Sequence, residues 1–325
     1  MFEGRGKQVY VYEVAPRDGF QIEPTFIPTA DKIALIDALS RTGLSKIEAT
    51  SFTTPKAIPA LRDAEEVMRG IARAEGVTYT TLVPNLRGAE RALGARVDEI
   101  NLVMSMSETH NLANLRMTRD QSCAQLAEVI RMVREAGTPV NVSLSTCFGC
   151  PMEGAVPPDE VWRWAERLID AGAEGISLCD TTGMANPCQV ADLVDAFIRR
   201  WPAVTLTLHL HNTRGLGLAN VLAALEAGAN RFDASLGGLG GCPYAPGATG
   251  NVCTEDLTHM LEAMGYRTGV DLDRLIECAR RLPEMVGHPV PGQVAKAGCA
   301  GQLHPAPEWL PEVRARALER DLPSN

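Results

Sequence analysis

The order of short apolar runs and helical segments is the feature that most constrains how this chain can fold. Eight runs rich in Val, Ile, Leu and Thr have the length and composition of β-strands. Helical segments such as residues 29–43, 157–172 and 186–200 separate them, and several begin at a Thr, an Asn or an early Pro and several end at Gly. The eight runs lie at residues 9–15, 45–50, 78–84, 97–105, 140–146, 175–180, 204–210 and 231–236.

Eight β/α units are what a (β/α)8 or TIM barrel requires. A doubly wound sheet is the competing α/β architecture, and a glycine-rich GxGxxG loop after the first strand would favour it. The first run is followed instead by PRDGFQ. We therefore predict a barrel domain over residues 1–268. A short C-terminal extension, 269–325, is expected to add a helix that packs on the barrel and a partly flexible tail.

Composition limits the classes of partner. The 325 residues carry a net charge of −9, and no basic run stands out, so we predict no nucleic-acid binding. No apolar stretch approaches the ~18 residues that span a bilayer, and the N-terminus has no apolar leader, so we predict no membrane association. Nine cysteines, an odd number scattered along the chain, favour a reduced, cytoplasmic environment over a disulfide framework.

Polar residues recur where the predicted strands end. In a barrel the carboxyl ends of all strands meet on one face, which is where barrel enzymes place their active sites. Each residue alone has an ordinary explanation, since strand-end carboxylates often cap the following helix. Their convergence on one face favours a functional site. The candidates are Arg17, Asp18, Glu48, Asp180, His209, His211, Cys242 and Asn251.

The seventh run places His209 and His211 two residues apart, so both imidazoles point to the same side of the strand. On that stretch alone they are either metal ligands or polar residues where a strand reaches the surface. Together with Asp18 and Asn251 they form a set of two imidazoles, one carboxylate and one amide oxygen. Such a set suits Mg²⁺ or Mn²⁺ with positions left open for a chelating substrate.

Two further residues suggest chemistry beside this set. Arg17 is adjacent to Asp18 and permanently charged, so it is a candidate for stabilising a developing oxyanion or enolate. Cys242 lies in the glycine-rich segment 235–251, where a loop that moves could bring it in to exchange a proton.

The motifs APRDGFQIE, IEATSF, STCFGCPMEG, ISLCDTTG, HLHN and GGLGGCPYAPGATGN resemble, in chain order, those of the hydroxymethylglutaryl-CoA lyase family. The resemblance covers residues 8 to about 270, and the last motif, which contains Cys242, is the most specific. It implies a (β/α)8 barrel and a divalent-metal-dependent cleavage of a tertiary 3-hydroxyacyl-CoA to acetyl-CoA and a 3-oxo acid such as acetoacetate. A homodimer is a further expectation from the resemblance.

The resemblance also implies roles for the candidate residues. The cation would be held by the set described above, Arg17 would stabilise the enolate oxygen, and Arg17 and Gln21 would contact the substrate. Cys242 would take part in proton transfer to the enolate carbon. Glu48 and Asp180 match positions that either relay protons or support the site, and the sequence leaves both roles open.

Several positions depart from the family pattern. Asn212 and Arg214 replace the expected Asp and Tyr, Ile22 replaces an Asn, and the segment 105–122 carries Leu112 and Leu115. These departures lie where the acyl group and CoA should sit, so a longer or more apolar acyl-CoA is an alternative substrate. A condensing enzyme of the same superfamily, joining acetyl-CoA to a 2-oxo acid, and a non-catalytic metal- or CoA-binding barrel are the alternative functions.

Overall fold

Eight parallel strands close into a barrel in the computed structural model, which describes residues 6–241 and 250–320. Each strand pairs with its neighbours in chain order, and the last pairs with the first. The predicted (β/α)8 barrel is therefore confirmed. The strands are β1 (Tyr10–Glu13), β2 (Lys46–Ser51), β3 (Thr78–Leu82), β4 (Glu99–Ser105), β5 (Val140–Ser145), β6 (Gly175–Asp180), β7 (Thr205–Leu210) and β8 (Arg231–Ala234).

Helices follow the strands and form the outer layer. Within the described part of the chain they are α1 (Thr29–Leu39), α2 (Ala64–Gly70), α3 (Leu86–Gly94), α4 (Glu108–Leu115), α5 (Arg119–Glu135), α6 (Pro158–Ala171), α7 (Pro187–Arg200), α8 (Gly217–Glu226), α9 (Thr254–Ala263), α10 (Leu272–Val286), α11 (Val294–Ala297) and α12 (Leu310–Arg320). Local signals set several boundaries. Thr118 and Asn186 begin α5 and α7 with complete capping boxes, and Gly172 ends α6 at a φ of 112°.

The first strand is shorter than the sequence predicts, because the chain turns after Glu13. Residues Ala15–Gly19 form a π-helical turn instead of continuing the strand. Pro16 has no N–H for a ladder, and the Glu13 carboxylate accepts the N–H of Ala15 at 2.7 Å. The turn carries Arg17 and Asp18 over the carboxyl-terminal mouth of the barrel.

The core lies between the outer surface of the barrel and the helices. Leu206, Leu208 and Leu210 of β7 are buried there, while the alternate residue Thr207 lines the barrel interior. Trp164 of α6 and Phe197 of α7 are fully buried on the helical side. Truncating one such aromatic residue to Ala typically costs about 3–5 kcal/mol, which measures how much this layer stabilises the barrel.

The residues after 268 begin as part of this packed layer. Helix α10 packs against α1 and α9, and the N–H of Asp271 donates to the carbonyl of Thr42 at 2.6 Å. His288, just after α10, contacts Glu23 at 2.9 Å beside the barrel mouth. From residue 300 to 318 every residue is exposed, including Trp309 just before α12 and Leu318 within it.

None of the described helices is both long enough and apolar enough to cross a bilayer.

Candidate metal centre and active site

The ends of β1 and β7 bring three potential metal ligands together. The ligand atoms of Asp18, His209 and His211 all lie within 4.8 Å of one another, and all three residues are buried. The Nε2 atoms of the two histidines are 3.2 Å apart, and Nε2 of His209 lies 4.0 Å from Oδ2 of Asp18. Both imidazoles therefore aim the same nitrogen at one point beside the carboxylate.

Asn251 completes the predicted set. Its backbone forms an antiparallel β-bridge with that of His211. Its side-chain Nδ2 donates to Oδ2 of Asp18 at 2.7 Å and to the carbonyl of Leu239 at 2.9 Å. Its Oδ1 is buried and has no hydrogen-bond partner among the described residues. A buried amide oxygen without a donor is an atom that a cation would satisfy. Two imidazoles, a carboxylate and this oxygen fit a hard divalent cation.

Glycines provide the space around these ligands. A Cβ on Gly240, where φ is +101°, would lie 2.6 Å from Nδ2 of Asn251 and 3.2 Å from Oδ2 of Asp18. A Cβ on Gly250 would overlap the carbonyl oxygen of Gly238. We call residues 238–240 and 250–251 the glycine neck, because here the chain leaves for segment 242–249 and returns from it within contact distance.

The protonation states of Asp18 and His211 suit a cation. Burial raises the pKa of Asp18, but Arg17 and the two histidines outweigh burial, so the net shift is downward and Asp18 stays ionised. Burial and the neighbouring His209 lower the pKa of His211 to about 3. Burial lowers the pKa of His209, yet Asp233 and Asp18 outweigh it and the net shift is upward. His211 is thus a neutral ligand at any ordinary pH.

Arg17 is held rigidly beside the metal ligands. Its Nε and Nη2 each lie 2.6 Å from Oε2 of Glu48, and its Nη1 lies 2.6 Å from Oδ1 of Asp18. Asn101 in turn donates to Oε1 of Glu48 at 3.0 Å. These contacts use three of the five N–H groups of the guanidinium, which leaves two without an acceptor among the described residues. Burial raises the pKa of Glu48, and Arg17 and Asn101 offset part of that rise.

Asp180 lies at the end of β6. Its Oδ1 accepts the N–H groups of Met184 and Ala185 at 2.7 and 3.1 Å, so this oxygen positions the following turn. Its Oδ2 is buried and without a hydrogen bond among the described residues. Burial raises the pKa of Asp180 to about 6, against the lowering effect of those two N–H groups. A carboxyl with a pKa near neutrality and one free oxygen is suited to exchanging a proton.

Gln21 and Cys242 are the remaining predicted site residues. Gln21 donates from Nε2 to Oδ1 of Asp18 at 2.8 Å, so it lies at the edge of the same site and helps to orient the carboxylate. Cys242 lies outside the described residues. Gly240 and Gly250, which lie on either side of the undescribed segment 242–249, are at the site.

Three residues at this site were missed in reading the sequence. Asp233 of β8 lies 3.4 Å from Nδ1 of His209, Asn101 supports Glu48, and Glu13 accepts the N–H groups of Ala15 and Leu236 under the first turn. The available signal was a charged or amide residue at an inward position of a short strand, as in RFDA and EIN. An inward polar residue in a barrel strand needs a partner inside the barrel.

A family model described as HMGL-like matches residues 8–282. The chain belongs to the HMGL-like family. A hydroxymethylglutaryl-CoA lyase of Bacillus subtilis is 49% identical over 287 residues, covering 88% of this chain and 96% of the relative. An (R)-citramalyl-CoA lyase of Chloroflexus aurantiacus is 41% identical, covering 89% and 95%.

Solved structures agree with this assignment to the HMGL-like family. A hydroxymethylglutaryl-CoA lyase of Acinetobacter baumannii in complex with coenzyme A and 3-methylmalate is 54% identical, with a TM-score of 0.89. It covers 92% of this chain and 98% of its own. The named relatives are carbon–carbon lyases, and so is this chain. The predicted resemblance and reaction class are confirmed.

Proposed function

We propose that this enzyme cleaves hydroxymethylglutaryl-CoA to acetyl-CoA and acetoacetate with Mg²⁺ or Mn²⁺ bound by Asp18, His209, His211 and Asn251. The observation that carries the proposal is the convergence of these four side chains at the barrel mouth, beside the guanidinium of Arg17. The 3-hydroxyl and 1-carbonyl oxygens of a 3-hydroxyacyl thioester are spaced to chelate one cation, which leaves the bond between C2 and C3 to break.

The cation, when bound, would polarise the hydroxyl and carbonyl oxygens of the substrate and lower the pKa of the hydroxyl. Arg17, fixed by Glu48 and Asp18, would donate its spare N–H groups to the thioester oxygen as enolate charge develops. Asp180, with its free Oδ2, would accept the hydroxyl proton. The electron pair of the C2–C3 bond then forms the enolate of acetyl-CoA, and C3 becomes the ketone of acetoacetate.

The enolate carbon must then gain a proton to give acetyl-CoA. The family resemblance assigns that step to Cys242. Replacing Cys242 with Ser keeps a proton donor of similar size and removes the more acidic thiol. We expect turnover to fall by about 10²–10⁴-fold, the usual contribution of one general acid or base. Unchanged turnover would sink the proposed role of the thiol and leave the metal site untouched.

The test of the proposed function is acetyl-CoA release from hydroxymethylglutaryl-CoA with Mg²⁺ or Mn²⁺ and then with a chelator. Release should require the cation and should be lost in His209→Ala. His304→Ala, at an exposed position of the C-terminal segment, is the matched control and should keep full activity. Release that persists in chelator, or in His209→Ala, would contradict the proposal.

A second substrate has a specific observation in its favour. The (R)-citramalyl-CoA lyase is as similar to this chain as the mitochondrial hydroxymethylglutaryl-CoA lyase of Bos taurus, at 41% and 40% identity. Citramalyl-CoA is shorter by one methylene and would give pyruvate in place of acetoacetate. Measuring kcat/KM for both thioesters decides between them, since one methylene is worth about 10–200-fold in a fitted pocket. A bulkier, more apolar acyl-CoA belongs in the same assay, because Ile22 and Leu112 are exposed apolar side chains.

The same proposal includes a cytoplasmic location and a homodimer. Support for the first is that the cysteines of the described residues are all free thiols, as expected in a reducing compartment. Light scattering coupled to size-exclusion chromatography measures the second directly. A mass of one chain would contradict the dimer.

A further inference from the structure

Asp233 lies on the interior side of the barrel, behind the metal ligands. On β8 it is in register with His209 of β7 and with Tyr12 of β1, so the three residues occupy one level of the barrel. Its side chain is 14% exposed and faces a small polar cavity that Lys46 and Glu99 also line. Sequence reasoning assigned it no role.

The two nitrogens of His209 face opposite ways. Nδ1 lies 3.4 Å from Oδ2 of Asp233, whereas Nε2 lies among the metal ligands, 3.2 Å from Nε2 of His211. A neutral imidazole has one N–H and one lone pair, so a carboxylate at one nitrogen decides where the proton sits. We propose that Asp233 is a positioning residue that holds the proton of His209 on Nδ1 and thereby directs the Nε2 lone pair to the cation. This inference rests on the proposed metal role of His209.

The alternative arrangement of the proton would block the site. With the proton on Nε2, His209 would donate to Nε2 of His211 or to the nearby Asp18, and its bare Nδ1 lone pair would face the carboxylate of Asp233. The first change opposes cation binding, because one ligand lone pair is lost. The second makes this tautomer unfavourable, because the Nδ1 lone pair and the carboxylate repel each other. A carboxylate that accepts the far N–H of a ligating histidine removes this competing state.

His211 offers an internal contrast. Its Nδ1 is buried and has no hydrogen-bond partner among the described residues. The two ligands therefore differ in support, and His209 is the one whose ring is fixed from behind. The positive charge of Lys46 stabilises the carboxylate of Asp233 inside the barrel. The ammonium group of Lys46 donates to both oxygens of Glu99 at 2.7 Å.

The test is a titration of the metal-free full-length protein with Mn²⁺ in the absence of substrate. The electron paramagnetic resonance signal of the free ion measures how much Mn²⁺ is bound. Asp233→Asn keeps the size and one weaker acceptor, and Asp233→Leu keeps the size and no acceptor. We expect affinity to fall by about tenfold for the Asn variant and about 100-fold for the Leu variant, the range found for partners that orient metal ligands. The matched control is Glu99→Gln, which removes one negative charge from the same cavity without facing His209, and it should bind Mn²⁺ within about twofold of wild type.

A second readout separates positioning from a general structural role. Long-range ¹⁵N–¹H correlation spectra of the imidazoles, with His209→Asn for assignment, should show His209 as the Nδ1–H tautomer in wild type and a shift towards Nε2–H in both Asp233 variants. Equal Mn²⁺ affinity in wild type and the Asp233 variants would overturn the inference, as would an equal loss in Glu99→Gln. No Mn²⁺ binding by wild type would overturn the proposed metal site along with it, so the two failures are distinguishable.

Discussion

At the scale of single residues, the candidate site consists of buried polar groups that are one another's hydrogen-bond and ion-pair partners. Arg17 neutralises two buried carboxylates, Glu48 and Asp18, and Asn251 fixes the second of these from the other side. Removing one partner of such a group leaves the others buried and unpaired, which costs more than the contact itself contributes. Variants here therefore need a binding readout beside turnover.

Arg17→Met should act on the transition state rather than on substrate binding. Enolate charge forms only during bond cleavage, so losing the guanidinium should lower kcat by about 10²–10³-fold while KM changes little. Steady-state kinetics measure the split, and Mn²⁺ binding together with thermal melting controls for loss of the site. A rise in KM at constant kcat would show instead that Arg17 anchors the substrate.

Gly240→Ala should weaken cation binding by crowding its ligands. The new methyl group would press on Nδ2 of Asn251 and approach Asp18, at a backbone φ of +101° that already disfavours a side chain. Gly154→Ala is the matched control, because its φ is +81° and its Cβ would meet nothing within 4 Å. Titration calorimetry with Mn²⁺ should show a loss of affinity in the first variant only. Similar affinities in both would mean that the space at Gly240 is not part of the cradle.

At the scale of elements, the short first strand matters because the turn that follows it is held to other parts of the barrel mouth. The Glu13 side chain accepts the N–H groups of Ala15 and Leu236 through one oxygen and the hydroxyl of Thr254 through the other, at 2.7 to 2.9 Å. It thus joins the turn after β1, the turn after β8 and the start of α9. Three elements that bear on the site are fixed by one buried carboxyl.

The free energy of unfolding should depend on pH through the carboxyl group of Glu13. Burial raises the pKa of Glu13 from 4.5 to about 8, against the lowering effect of its three donors. The folded protein then holds a proton between about pH 4.5 and 8 that the unfolded chain does not, so the free energy of unfolding falls as pH rises through this window. The stabilisation is complete below about pH 4.5 and lost above about pH 8.

Glu13→Gln should remove this pH dependence, since the amide stays neutral. Its oxygen can accept both N–H groups, and its NH2 can donate to the Thr254 hydroxyl. Urea unfolding between pH 5 and 8.5 should show the variant gaining on wild type with rising pH, by up to about 1.4 kcal/mol per pH unit. Glu75→Gln, at an exposed position, is the control. Parallel curves for wild type and Glu13→Gln would contradict the assignment.

The elements that the sequence predicted well were those with a strong local signal. Eight apolar runs and capped helices such as α5 and α7 carry their own start and stop residues, and strand alternation places His209 and His211 on one face of β7. The π-helical turn at Ala15–Gly19 could not be predicted, because it depends on Glu13 meeting the distant Leu236 and Thr254. Asp233 was missed for the same reason, since its partner is on another strand.

At the scale of the whole molecule, the family likeness and the packed layers end near the same place. The HMGL-like match runs to residue 282, and the B. subtilis relative covers 96% of its own length but 88% of this chain. From residue 300 to 318 all side chains are exposed, Leu303 and Trp309 among them. These residues add nothing to the core that the structure describes.

Deleting residues 303–325 should therefore leave the barrel and its site unchanged. We expect a shift in Tm below about 1 °C, since exposed residues contribute little to stability, and kcat and KM within about twofold of the full chain. Differential scanning calorimetry and the acetyl-CoA release assay measure both. A large loss of either would mean that the apolar face of α12 packs against the protein in solution.

At the glycine neck the backbone itself lies against the candidate metal ligands. A Cβ at Gly240 would meet Asn251, and one at Gly250 would meet the carbonyl oxygens of Gly238 and Gly240, so neither position has room for a side chain. Exchanging segment 242–249 for the corresponding one of a citramalyl-CoA lyase, with Gly240 and Gly250 kept, should therefore leave Asp18 and Asn251 in place. In evolutionary terms, substitutions between the two glycines are decoupled from the packing around the candidate metal ligands, whereas substitutions at the glycines themselves are not.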